Sequence, residues 1–159
     1  MNPEQIKHLL ETGMLRKRSP DMKQADTLID AANERASIAK AIPLSEKSAT
    51  TILSELYESF KNLGNARWWV LGYKPTKDAH VVSMLIISKA QIAHAYKVQN
   101  IDRFRQLRNK ANYDGYRVTL GEAKEILGLW NEVSEELIEW VKEKRSGNKV
   151  EKSVEKETK

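Results

Sequence analysis

The stretch Val81-Val82-Ser83-Met84-Leu85-Ile86-Ile87 decides the fold, because it can be read two ways. A short apolar run is either a buried strand or one side of a buried helix, and periodicity alone does not separate them. Its flanks do. Ala79 before it, and Lys89, Ala90, Gln91 and Ala93 after it, extend helix-compatible sequence beyond strand length, and Thr76 or Asp78 can cap the start. The spacing therefore predicts a helix that carries His80 and His94. The apolar run is also far too short to span a bilayer.

The segments on either side agree. Upstream, Asn2-Pro3 has the form of an N-cap followed by proline at the first helical position, and Ile6, Leu9, Leu10 and Met14 form an apolar stripe that Gly13 and Ser19-Pro20 close. Met22, Ala25, Leu28, Ile29, Ala32, Ala36, Ala39 and Ile42 then recur at helical steps until Pro43. A third helix starts near Ser45 and runs through Ile52, Leu53, Leu56, Tyr57, Phe60 and Leu63. It continues past Gly64 to Leu71, with Gly72 as its C-terminal cap. Downstream, Ile101, Phe104, Leu107 and Ala111 mark a helix over about 100–112, which Asp114-Gly115 breaks. Thr119-Leu120-Gly121-Glu122 has capping-box spacing and opens a long last helix on Ala123, Ile126, Leu127, Trp130, Val133, Leu137, Ile138 and Val141. No alternation of strands and helices occurs anywhere. The expectation is an all-α, up-and-down bundle of five or six helices.

At 159 residues, 40% hydrophobic and 31% charged, the chain has the size of one domain and is too apolar for wholesale disorder. That domain is expected over 1–145, with the polar SGNKVEKSVEKETK of 146–159 as a disordered tail. Without cysteine there is no disulfide, thiolate metal site or cysteine nucleophile. His8, His80 and His94 lack metal-ligand spacing, and the phosphate-loop, dinucleotide and serine-hydrolase signatures are absent, so neither metal nor cofactor is expected. The opening MNPEQIKHLL has no basic region before an apolar stretch and does not resemble a secretory signal. A cytoplasmic protein without membrane contact is expected.

The net charge of +5 is mild, but its distribution is uneven. Between Asn100 and Val118, Arg103, Arg105, Arg108, Lys110 and Arg117 face only Asp102 and Asp114, a local excess of +3. Such an excess attracts phosphate-bearing partners. Arg16-Lys17-Arg18 is a second basic cluster, read as a solvated helix end. On a helix, Arg105, Arg108 and Asn112 fall within about 60° of one another beside the apolar stripe, with Asn109 and Tyr113 further round the polar side. Guanidinium matches phosphate with a planar charged fork, and amides can read base edges. We expect Arg105, Arg108, Asn109, Asn112 and Tyr113 to form one phosphate-facing patch, with Lys110 adding charge. The plainer alternative is that Arg108 and Asn109 pair with carboxylates of the bundle or close a helix end.

Arg105-x-Leu107-Arg108-Asn109-x-Ala111-x-Tyr113-Asp114-Gly115-Tyr116, followed by Val118-Thr119-x-x-Glu122-Ala123 and an amphipathic last helix, resembles the HEPN superfamily (higher eukaryotes and prokaryotes nucleotide-binding domain). Tyr57-Glu58-Ser59-Phe60, Leu71-Gly72-Tyr73-Lys74-Pro75 and a following helix with His80 are similar to small prokaryotic, especially archaeal, members. The resemblance covers about 20–143. It implies a helical bundle, usually homodimeric, and often a metal-independent ribonuclease toxin paired with a minimal nucleotidyltransferase antitoxin. The family signature is an arginine, a polar residue and, after four to six intervening residues, a histidine. Arg108 and Asn109 match its first two positions, while Tyr113 stands where histidine is expected, and no histidine follows His94. Tyrosine titrates near pH 10 and is a poor base near neutrality, although it can still donate to phosphate or stack on a base.

The resemblance therefore implies Arg108, Asn109 and Tyr113 as the catalytic positions, and Arg105, Arg108, Lys110 and Asn112 as phosphate contacts. The expected function is binding of RNA or nucleotide phosphate with little or no catalysis, within a toxin–antitoxin or defence pair. The alternatives are a metal-independent endoribonuclease using Arg108 and a structural protein without a nucleic-acid role. Adjacent Trp68 and Trp69 point about 100° apart, so both rings can pack in the core, or one can enter it while its neighbour is partly exposed and suits an interface. With Trp140, and with the family's habit, this predicts a homodimer.

Overall fold

A computed structural model describes residues 1–76 and 78–144. The expected tail of 146–159 lies outside the described residues. The run Val81–Ile87 is helical, and the chain folds as an all-α bundle.

Helix α1 spans Pro3–Glu11. Its first turn is closed by a capping box, in which Asn2 Oδ1 accepts from Gln5 N at 2.9 Å and Gln5 Oε1 accepts from Asn2 N at 3.1 Å. The chain then departs from expectation. Leu15–Lys17 is a short strand, β1, paired antiparallel with β2 at Tyr73–Pro75 in the register Leu15↔Pro75 and Lys17↔Tyr73. Arg16-Lys17-Arg18 is thus not a helix end. Three residues are too few to show a period of two, so the ladder left no pattern in the sequence.

Helix α2 (Met22–Ala41) starts on Asp21, whose carboxylate accepts from Gln24 N at 2.9 Å. Its buried face is Ala25, Ile29, Ala32, Ala36 and Ala39. Small side chains let it lie close to α3 (Ala49–Leu71), and Ser59 Oγ of α3 donates to Ala32 O at 2.9 Å across the seam. Helix α3 is the hub, packed against α2, α4 (Ala79–Ser88), α6 (Asp102–Tyr113) and α7 (Leu120–Lys142). Gly72 closes it at φ +88°, as expected.

Gly64 does not interrupt α3. A Cβ there would overlap the carbonyl group of Ser83, so glycine is what allows α4 to pack directly on α3. Helix α4 ends at Ser88, earlier than its flanks suggest, and His94 is not on it. His94 instead precedes the short α5 (Ala95–Val98), where its ring and backbone both bond Glu136 of α7. At the start of α4, Asp78 adopts φ +47° without a side-chain cap bond, and the hydroxyl of Thr76 donates to Gly13 O.

The buried residues of the helices form a continuous core. Trp68 is fully buried, donates its indole N–H to Val82 O at 3.1 Å and meets Tyr73 edge-on. Phe60 and Trp130 pack edge-to-face at 5.0 Å, worth about 1 kcal/mol beyond their buried area. Trp140 is also buried, so of the three tryptophans expected to supply interface surface only Trp69 remains half-exposed. The capping box at Thr119 forms as predicted. No helix among the described residues is long and apolar enough to cross a membrane.

Candidate phosphate-binding site

Helix α6 buries Ile101 and Phe104 against the core and keeps Leu107 and Ala111 half-buried, so the predicted stripe holds. That seating turns Arg108 inward, toward the middle of α3. Its side chain is 21% exposed, its Nη2 lies 3.5 Å from Glu58 Oε1, and its guanidinium carbon sits 5.7 Å from the centre of the Tyr57 ring. Glu58 is held more closely by Lys61, one turn further along α3, at 2.6 Å.

His80 joins this group from α4. Its Nδ1 is 2.6 Å from the Tyr57 hydroxyl, and the two rings are parallel within 6° at 5.7 Å. Gly64–Ser83 contact one helical turn along α4 sets this seam. Three helices thus bring Tyr57, Glu58, Lys61, His80 and Arg108 together.

The protonation states follow from this placement. Burial pushes the Tyr57 phenol above its ordinary range, and Glu58 pushes the same way, so the phenol keeps its proton. Burial lowers the His80 imidazole below its ordinary value, helped by Lys61, Arg108 and Arg105 against the opposing pull of Glu58. The phenol hydroxyl can donate to Nδ1 or accept from it, so the contact fixes the orientation of the ring in either neutral tautomer. With Nδ1 engaged by Tyr57, Nε2 is the ring nitrogen left to meet a ligand.

The other expected residues separate. Arg105 makes a fork to Asp102 of its own helix, with Nε–Oδ1 at 2.6 Å and Nη2–Oδ2 at 2.9 Å. This bond holds the Asp102 carboxyl below its ordinary range and raises the Arg105 guanidinium. The plainer expectation thus meets Arg108, which pairs with Glu58 although at 3.5 Å, and Arg105 makes a closer pairing of the same kind. Asn109 is half-buried and Asn112 exposed. Tyr113 is 79% exposed at the end of α6, about 140° round the helix from Arg108 by periodicity, so the single five-residue patch divides in two. At the outer part Lys110 stands 5.9 Å from the Tyr116 ring, and Tyr116 donates to Glu122 Oε1 at 2.9 Å.

Sequence reasoning placed Tyr57 in the apolar stripe and did not single out Lys61. The visible signal was a tyrosine followed directly by a carboxylate on α3, together with a histidine at the start of α4. Comparison with family models, curated proteins and solved structures returns no match for the chain. The functional case rests on this geometry and on the resemblance in the α6 segment.

Proposed function

We propose that the chain is a HEPN-like module that binds RNA through its phosphates, with Arg108, Lys61 and His80 as the phosphate contacts. The observation that carries this reading is the convergence of His80, fixed by Tyr57, with an arginine that is not fully engaged. A charge-assisted bond is typically 2.7–2.9 Å long, so Arg108 at 3.5 Å from Glu58 gives up little when a phosphate takes its fork. Lys61 keeps Glu58 neutralised while that exchange takes place. The exposed Tyr113 ring, with Lys110 and Asn112 nearby on the same helix, supplies a stacking surface of the kind single-stranded RNA uses. That favours RNA over a free nucleotide.

The same convergence supports a second reading, a metal-independent endoribonuclease in which α4 supplies the imidazole that α6 lacks. A base must present a free nitrogen lone pair to the 2′-hydroxyl, which His80 does at Nε2 only in the tautomer that donates from Nδ1 to Tyr57. Phosphate binding through Arg108 has no such requirement and is the first reading. A homodimer is part of the proposal, supported by half-exposed Trp69 and by Ile38 and Tyr96, which are 50% and 66% exposed. A nucleotidyltransferase partner and a cytoplasmic toxin–antitoxin or defence setting rest on the resemblance alone.

Fluorescence anisotropy with a labelled single-stranded RNA, in chelator and over a salt series, tests the reading. Binding should weaken steeply with salt while the RNA stays intact. Arg108→Ala should lower affinity about tenfold and reduce the salt slope by about one. Cleavage in chelator, lost in His80→Gln, would select the ribonuclease instead. Absence of both binding and cleavage would leave a structural protein and end the proposal.

A further inference from the structure

At the other end of α3 lies a cleft of about 860 Å³, within the roughly 300–1,000 Å³ range of small-molecule sites. Ten residues, or roughly 15 Å at the helical rise, separate Tyr57 from Arg67 on its floor. The cleft is built by α1, β1, the end of α3, the end of α4 and the end of α7. Ile6 and Leu10 of α1, Met22 of α2 and Leu71 of α3 present apolar surface to it while only half-buried in the fold. Trp140 lies at its deep side, with Trp68 fully buried behind it.

Its charged residues all have one sign. Lys7, Lys17, Lys89 and Lys144 come from four different elements or their ends, Arg67 lies on the floor, and no Asp or Glu is among the described lining residues. Lys7 also leans toward Glu11 at 3.9 Å, where both side chains are well exposed. A cleft with an apolar wall and a wholly cationic rim fits a ligand with an apolar body and an anionic head. The chain's own residues 145–159 carry a net positive charge and do not complement that rim.

We infer that this cleft is a second binding site, distinct from the phosphate site, for an amphiphilic carboxylate: an acyl or aromatic body lying along Ile6, Leu10, Met22 and Leu71, with its head among Lys17, Lys89 and Lys144. Ligand bound there clamps α1 and the β1–β2 ladder onto the ends of α3, α4 and α7.

The test is calorimetry on the full chain with dodecanoate below its micelle concentration, set against dodecyltrimethylammonium of equal chain length. Dodecanoate should bind with one-to-one stoichiometry, and the cation should bind at least tenfold more weakly. The double variant Lys17→Glu/Lys89→Glu should weaken dodecanoate about tenfold or more, and Ile6→Trp should block it by filling the cleft. Both substitutions alter side chains that are exposed or half-buried, and circular dichroism checks that the helices persist. If the double variant does not fold, Lys89→Gln alone should still weaken binding measurably. Arg108→Ala should leave dodecanoate binding unchanged, which separates this site from the phosphate site. Equal binding of anion and cation, or no effect of the lysine substitutions in folded protein, overturns the inference. So does sedimentation with phosphatidylglycerol vesicles without binding of monomeric dodecanoate, which would make this a membrane-facing surface. Dodecanoate binding that vanishes as the chain self-associates would make the cleft an interface between copies, and would overturn it equally.

Discussion

Arg67 stands on α3 and Arg108 is set against α3 from α6, and the two arginines differ in how fully the protein uses them. Arg67 is 2% exposed, and its Nη1 donates to the carbonyls of Trp140, Val141 and Glu143 at 3.0, 3.2 and 2.5 Å. Its guanidinium stacks over the Trp140 ring at 4.7 Å. Those carbonyls belong to the end of α7, where helix bonds run out and the helix dipole favours a cation. Burial lowers its pKa to about 10, still well above neutrality, so it stays charged. Arg108 keeps part of its surface in solvent and has one carboxylate at 3.5 Å, shared with Lys61. One arginine is committed to closing a helix end. The other keeps bonding capacity that a phosphate can use.

This contrast predicts opposite outcomes from the same substitution. Arg67→Ala should cost roughly 3–5 kcal/mol in a urea titration, because it leaves helix-end carbonyls without their donor and opens space beneath Trp140. Arg67→Lys should recover little, since a point charge cannot reproduce the stacked planar fork. A loss under 1 kcal/mol would mean that α7 does not depend on this cap. Gly64→Ala comes next, at about 1–3 kcal/mol, because its methyl group meets backbone of α4 rather than a side chain that can turn away. It should also weaken RNA binding, since the seam it opens is the one that holds His80 against Tyr57. Arg108→Ala should shift stability by less than about 1 kcal/mol, as expected for a long, partly solvated pairing, while lowering RNA affinity about tenfold. Unfolding without loss of binding would reverse the roles of the two arginines.

The fold was legible because its determinants are local. The N-cap and proline at Asn2-Pro3, the capping box at Thr119, the αL cap at Gly72 and the alanine face of α2 are written in neighbouring residues. What escaped was short or non-local. The β1–β2 ladder joins residues almost sixty positions apart through three-residue strands. Gln91 and Ala93 suit a helix, yet α4 stops at Ser88, and His94 is drawn to Glu136 instead. At the candidate site, Arg108 was legible from its ridge and motif. Its companions were not, because Tyr57 meets His80 across 23 positions and Arg108 meets Glu58 across 50. Helical periodicity assigns a side chain to a face, not to the partner that face will meet.

A smaller effect concerns pH. His80 has a lowered pKa in the folded chain, so the unfolded chain takes up its proton first as pH falls through about 6.5. The contribution of neutral His80 to stability is therefore complete above that pH and is lost as pH falls toward the folded value. His80→Gln should flatten the acid side of the thermal stability curve, and an unchanged curve would mean that His80 titrates as it does in the unfolded chain.

The most direct test of the phosphate site is the pKa of His80 itself, followed by NMR of its imidazole in the free chain and with saturating single-stranded RNA. A phosphate held beside Arg108 stabilises imidazolium, so RNA should raise the His80 pKa, and the gain should match a tightening of RNA binding as pH falls. In Arg108→Ala the RNA-induced rise should shrink. A His80 pKa that is the same with and without bound RNA would place the RNA elsewhere and contradict the account.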